Sequence, residues 1–284
     1  MSNAIVLIEC KDQHGIVSSV TEFIYSNQGN IIDLDQYTDH VNNHFFMRIK
    51  WSLSSFNIEK SKISEYFETL LAKRFGIRFD LFFTDEIPKV GLFVTKLSHC
   101  LFDLLGRWQS GDLDIEIPVI VSNHEYLRDT VERFDIPFVY LPINSKNKEE
   151  QERKQLEILS EYNIDVLVLA RYMQIISSSF ISQFKKNIIN IHHSSLPAFV
   201  GAKPYHAAFE RGVKIIGATA HYVTSKLDAG PIIDQDVVRT NHRHSVEDLI
   251  KMGQDVEKLV LARALKLHID RKVLIVGNKT IVFH

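Results

Sequence analysis

Residues 188–197 read IINIHHSSLP. Isoleucines on both sides of Asn190 end a short apolar run, the pattern of a strand buried on both faces. The run then breaks into two imidazoles and two hydroxyls, followed by Pro197, which has no backbone N–H to donate to a sheet. In an open parallel sheet the ligand crevice lies just beyond the carboxyl ends of the strands. This junction is therefore either a tolerated polar loop or the floor of a site.

The neighbouring sequence supports the second reading. Short apolar runs at 90–94, 118–122, 138–141 and 165–170 precede it, separated by helical segments such as 149–162. Strands alternating with helices predict a mainly parallel, Rossmann-like sheet covered on both faces. Two further strands, 215–224 and 232–240, flank the turn LDAGP. A long amphipathic helix over 245–268 opens on Ser245-Val246-Glu247-Asp248, a capping-box pattern. The chain closes on VLIVGNKTIVF, read as a hairpin turning at Gly277-Asn278.

The first eighty residues have a different rhythm. Residues 4–10 are a continuous apolar strand, and Ile16, Val17, Val20, Phe23 and Ile24 recur at helical spacing. Residues 31–37 form a second strand. Phe45, Met47, Ile49 and Trp51 alternate with other residues as a third strand with one buried face. Asn57 is positioned to cap a second helix, and Ile77, Phe79, Leu81 and Phe83 form a last strand. The order β-α-β-β-α-β predicts the ferredoxin-like split arrangement. The expected division is 1–84 for this unit, 85–88 as a linker, and 89–284 for the larger unit.

Composition narrows the functional classes. The 284 residues are 45% hydrophobic and 24% charged, which is enough for two packed cores without metal or disulfide support. A formal net charge of −2 supplies no basic field for nucleic acid. Only Cys10 and Cys100 occur, so no disulfide framework is expected. The N-terminal stretch lacks a basic, apolar leader and no segment is long enough to span a bilayer, which predicts a cytoplasmic location.

Three polar clusters fall at strand ends: Arg171-Tyr172-Met173-Gln174, the NIHHSS junction, and Lys226-Leu227-Asp228-Ala229-Gly230. Asn190 and His192 are two apart, so an extended strand points both to one side and His193 to the other. An amide beside an imidazole can stabilise an oxyanion, each good donor being worth about 3–4 kcal/mol of barrier. Asp228, followed by a tight Ala-Gly-Pro turn, is the carboxylate candidate for orienting the imidazole or handling a water. No HExxH, CxxC or His-x-His spacing supports a zinc site at His192, His193, His206 or His221. No GxSxG elbow marks Ser194 or Ser195 as a nucleophile, and their expected role is to cap the next turn. His99 and Cys100, near a helix start, are weaker pocket candidates. The residues alone reach a two-unit enzyme for acyl transfer or hydrolysis, without a substrate.

The segment NIHHSSLPAFVGAKPYHAAFERGVKIIGATAHYVT, followed by LDAGPIIDQDV, resembles the folate-dependent formyltransferase family. Asn190, His192 and Asp228 match that family's catalytic trio. VTKLSHCLFDLLGRW and GNKTIVF are similar to the formyltetrahydrofolate deformylase branch, and DQHGIV, NQGNIIDLDQYTD and HFFMR look like its ACT domain. The resemblance implies hydrolysis of 10-formyltetrahydrofolate, supplying formate for purine synthesis and balancing one-carbon pools, with neither cofactor nor metal. It implies a folate-binding segment containing Arg171, Met173, Gln174 and Ile176. It further implies an amino-acid effector near Asp12, His14, Gly15, Ile16, Asn30 and Ile31, and an even-numbered homo-oligomer. In transformylases a glycine-rich loop after the first strand of this fold holds the acceptor's phosphate. Residues 94–100, VTKLSHC, have no glycine there. Two alternatives stay open: a formyltransferase with an amine acceptor, and a non-catalytic folate or amino-acid sensor.

Overall fold

The computed structural model describes residues 2–196 and 204–284. The turn at Pro197 and the AFVGAK stretch after it lie outside the described residues. The chain forms two compact units. One comprises Met1–Ile87, Asp270–Leu274 and Ile281–His284, and the other Pro88–Ile269 with Ile275–Thr280. The expected linker at 85–88 thus spans the first junction. The last residues differ from the expectation, because two short pieces of 89–284 pack with the first unit.

In the first unit, β1 (Asn3–Lys11), α1 (Ile16–Ser26), β2 (Asn30–Asp39), β3 (His44–Ser52) and β4 (Arg78–Phe83) build a sheet of order β2-β3-β1-β4. All of its pairings are antiparallel. Gly15, at φ +91°, turns the chain into α1, whose Ile16, Val20, Phe23 and Ile24 are buried. They meet Ala4, Val6 and Ile8 of β1 and Met47, Ile49 and Trp51 of β3 in one core. The second helical stretch is irregular. A 3₁₀ turn, Lys60–Lys62, leads into α2 (Ile63–Phe67), a π-helical turn at Glu68–Ala72, and α3 (Lys73–Phe75). Asn57 does not cap it: the stretch begins after Glu59, and the Asn57 N–H donates to the Asn27 carbonyl.

The expected single buried face of β3 is also revised. Phe46 and Arg48, on its other side, are buried too. Arg48 pairs with Asp33 and donates from Nε to the Arg271 carbonyl (2.9 Å) and from Nη2 to the Asp270 carbonyl (3.1 Å). The returning C-terminal residues supply those carbonyls, a contact that alternation along the strand does not encode.

The second unit carries β5 (Val90–Val94), α4 (His99–Gln109), β6 (Ile120–Ser122), α5 (Arg128–Glu132), β7 (Phe138–Tyr140), α6 (Lys148–Glu161), β8 (Val166–Leu169), α7 (Ser178–Phe184), β9 (Asn187–His192), α8 (Pro204–Arg211), β10 (Ile215–Tyr222), β11 (Ile232–Arg239) and α9 (Val246–Ile269). Its sheet runs β11-β10-β9-β8-β5-β6-β7. Strands β5 to β9 are parallel neighbours, as their continuous apolar runs predict, whereas β10 and β11 are antiparallel additions. Ser245 and Asp248 form the expected reciprocal cap, with Ser245 N–H to Asp248 Oδ2 at 2.9 Å and Asp248 N–H to Ser245 Oγ at 3.2 Å. The closing hairpin is β12 (Val273–Val276) and β13 (Lys279–Val282), divided between the units. Among the described residues, no helix is long and apolar enough to cross a membrane.

Candidate active site

A cavity of about 420 Å³ opens in the second unit beside the ends of β8 and β9. Three segments line it: 171–176 after β8, 190–193 at the end of β9, and 223–228 after β10. Asn190 and His192 share one side of β9, as expected. The third segment follows a strand outside the parallel set. β10 runs antiparallel to β9, placing His221 opposite Asn190 and Tyr222 opposite Ile189. The loop must therefore fold back, and it does so through Asp228, at φ +49°, a left-handed conformation that aspartate tolerates better than most residues.

Gly230 makes that fold possible. A methyl group there would fall inside contact distance of the Tyr222 carbonyl, a backbone atom that cannot swing aside. Gly230→Ala is expected to destabilise the protein by at least about 1–3 kcal/mol. It should also loosen Asp228, visible as a lower denaturation midpoint. An unchanged midpoint would show that the turn has slack.

The loop brings four polar side chains together. His192 Nδ1 lies 3.3 Å from Asp228 Oδ2, and His221 Nε2 lies 3.7 Å from Asp228 Oδ1. Asn190 Nδ2 is 3.2 Å from His221 Nε2. The Tyr222 carbonyl can only accept, so His221 donates to it from Nδ1 at 2.9 Å. A neutral His221 ring then offers Nε2 as acceptor to Asn190, and a protonated ring offers it as donor to Asp228. The His221 contact, chiefly, holds the Asp228 carboxyl below its usual range against the opposing cost of burial. Burial pushes His192 below its ordinary value and outweighs the attraction of Asp228. The resting imidazole is thus neutral at pH 7. Its Nδ1 faces a carboxylate, and its buried Nε2 has no hydrogen-bond partner among the described residues.

Thr219 fixes the exit from β9. Its hydroxyl donates to the Ser194 carbonyl (2.8 Å) and accepts from the Leu196 N–H (3.0 Å), while Gln235 donates to it (2.8 Å). The expected capping role of Ser194 and Ser195 concerns a turn that runs into the undescribed residues. Buried α6 residues support the segment 171–176 from behind. Gln155 donates to the Tyr172 hydroxyl (2.8 Å), and Glu152 accepts from the Ser177 N–H (3.0 Å) and hydroxyl.

The sequence candidates separate into groups. Arg171, Met173, Gln174 and Ile176 all line the cavity, with Met173 exposed. Arg171, however, turns its guanidinium inward, with Nη1 2.6 Å from His193 Nδ1 and Nε 3.2 Å from Glu257 Oε2. His193 does not simply point away: its ring stacks on His192, with centroids 5.0 Å apart and planes at 24°. His99 and Cys100 are not among the lining residues. His99 Nε2 bonds Glu257 Oε2 at 2.8 Å, and Cys100 is fully buried, with its thiol pushed well up by desolvation. His99, Cys100 and Glu257 do offer three donor atoms within 4.8 Å of one another. The carboxylate oxygen on that side already faces both His99 and the Arg171 cation. In the first unit the effector candidates split. Asp12, His14, Gly15 and Ile16 follow β1 near the Lys11–His44 pair, whereas Asn30 and Ile31 begin β2 at the Asn3–Ser52 end. One chain alone does not gather them.

Sequence reasoning missed His221 and Glu257 as site residues. Register is the signal for His221, because it faces Asn190 across an antiparallel pair. For Glu257 the signal is a carboxylate on the buried stripe of α9, among Gly253, Val256, Val260 and Leu261.

An imidazole, a carboxylate and an amide gathered at the strand ends of a mainly parallel sheet can polarise a carbonyl and move a proton. Residues 88–265 match the family model described as Formyl transferase. The formyltetrahydrofolate deformylase of Synechocystis is 50% identical over 280 residues, covering 99% of this chain and 98% of that protein. The Bacillus subtilis formyltetrahydrofolate deformylase is 48% identical, over 98% of this chain and 93% of its own length. The crystal structure of a formyltetrahydrofolate deformylase from Pseudomonas syringae superposes with a TM-score of 0.96 at 43% identity, covering 100% of this chain and 95% of that one. The chain belongs to the formyl transferase family, in its formyltetrahydrofolate deformylase branch.

Proposed function

We propose that this chain hydrolyses 10-formyltetrahydrofolate to tetrahydrofolate and formate, with His192 as base. The observation that carries this reading is the buried, unpartnered Nε2 of a neutral His192 in a cavity it shares with Asn190 and Asp228. The folate ring packs along residues 171–176, where Met173 and Ile175 present apolar surface. Water attacks the formyl carbon, and His192 Nε2 takes its proton. Asp228, facing Nδ1, stabilises the imidazolium that forms. Asn190 donates to the tetrahedral oxyanion. The imidazolium returns the proton to N10, the C–N10 bond breaks, and formate leaves. Asp228 is the poorer base, because two imidazoles face it and its carboxyl is held low.

Water as acceptor fits the stretch 94–100, which lacks the glycines of a phosphate cradle. It continues straight into α4 at His99. The test is formate release from 10-formyltetrahydrofolate without an amine. Release only on adding an amine acceptor would establish a transferase, and no release from folded protein would favour a sensor. The pH profile adds a second check. The protonated ring cannot act as base, and its folded-state affinity for protons is lowered. Activity should therefore rise with pH to a midpoint below 6.5 and be flat at neutrality. A midpoint above 7 would remove His192 from the base role.

The first unit, read as an ACT domain, serves as an amino-acid-responsive, pairing module. An even-numbered, cytoplasmic homo-oligomer follows, with neither cofactor nor metal. The separation of Asp12–Ile16 from Asn30-Ile31 within one chain fits an effector held between two copies. Light scattering with and without added amino acids tests it.

A further inference from the structure

A second polar cluster lies behind the cavity, and the hydrolytic mechanism leaves it unused. Glu257, on α9, is 1% exposed. Its Oε1 accepts from the Tyr205 hydroxyl at 2.6 Å. Its Oε2 accepts from His99 at 2.8 Å and faces Arg171 Nε at 3.2 Å. Burial pushes its carboxyl up, but His99, the Arg171 charge and Tyr205 together outweigh that and keep it ionised. From Arg171 the chain of contacts continues to His193 Nδ1 at 2.6 Å and, by ring stacking, to His192. A guanidinium can only donate, so His193 Nδ1 must accept. One tautomer and one ring plane of His193 are thereby selected, and the stacked His192 ring has a fixed wall.

The backbone at Arg171 also admits glycine, which supplies a variant that removes only the side chain. Arg171 sits at φ +61°, a left-handed conformation that costs a residue with a Cβ and suits glycine. Its N–H donates to the Leu169 carbonyl, and its carbonyl accepts from Thr95 Oγ1 at 3.0 Å, so a glycine would meet the same backbone needs.

We propose that Glu257 is a positioning residue, which through Arg171 and His193 holds the His192 ring in line with Asp228. The inference rests on the hydrolytic reading above. Titratable groups beside this chain of contacts are Asp228 and His221 on the cavity side and Cys100, whose sulfur lies within 4.8 Å of the His99 and Glu257 donor atoms.

The test compares full-length wild type, Glu257→Gln and Arg171→Gly by steady-state formate release, with imidazole ¹⁵N NMR of His192 and His193. Glutamine keeps the volume of Glu257. Glycine relieves the left-handed backbone, so this variant is the one expected to fold if the buried glutamine does not. Kcat is expected to fall about 10²-fold in each variant, the scale of a misplaced catalytic group, with KM within about threefold. The double variant should fall no further than the worse single one, since both break the same chain. The His193 spectrum should change from a single tautomer to a mixture. If wild type releases no formate, the hydrolytic reading fails first. If wild type is active and Arg171→Gly keeps its kcat and its His193 tautomer, the positioning role is overturned. A raised KM at unchanged kcat also overturns it, and would mark Arg171 as a folate-binding group.

Discussion

Changing His192 to alanine is expected to lower formate release from 10-formyltetrahydrofolate by about 10³-fold or more, with substrate binding little affected. A positioned acid-base group contributes about 10²–10⁴. The same ring, once protonated, also places a positive charge beside the developing oxyanion, a contribution of about 10²–10³ for a well-placed donor. The two are not independent, so their product is an upper bound. The side chain is buried, yet its Nε2 bonds no other protein group among the described residues. Truncation therefore breaks few structural contacts and leaves Asn190 and Asp228 in place. The measurement is single-turnover formate release by a variant whose melting temperature matches wild type. A loss of less than tenfold would place the base elsewhere.

Asp228→Asn should be nearly as damaging, by about 10²–10⁴ in kcat. The carboxylate faces His192 and His221 with one oxygen each. An amide of the same size can accept from only one of them and must turn an N–H₂ toward the other. His192 then loses the group that fixes its proton on Nδ1 and stabilises its imidazolium. Asp228 raises the proton affinity of His192 against burial, so its loss also moves the acidic limb of the profile to lower pH while the plateau drops. A pH-rate profile of the variant tests both halves. Activity within a few fold of wild type would show that Asp228 neither orients nor charges the ring.

Much of this was legible in the residues. Alternation and helical spacing located the strands and first helix of the first unit, and short apolar runs located the parallel strands of the second. The polar break after the apolar run at 188–191 marked the residues that line the candidate cavity. What was hidden depends on pairing direction and distance along the chain. Periodicity does not say that β10 runs against β9, and that direction sets His221 opposite Asn190. The buried far side of β3 depends on residues more than two hundred positions away. His99 looked like a pocket residue from its place after β5, but its partner is on α9. The inward turn of Arg171 was hidden for the same reason.

The return of residues 270–274 and 281–284 to the first unit also bears on how this protein can be cut and recombined. A fragment that stops at residue 87 would keep all four strands of the first sheet. It would still leave the buried Arg48 guanidinium facing neither of the carbonyls it now reaches. That unit is not a contiguous cassette that a gene fusion could lift out whole. Nicking the linker at 85–88 would leave residues 270–274 and 281–284 of the C-terminal piece packed with the N-terminal piece, so a protease that opens the linker should yield a nicked protein that still migrates as one under native conditions.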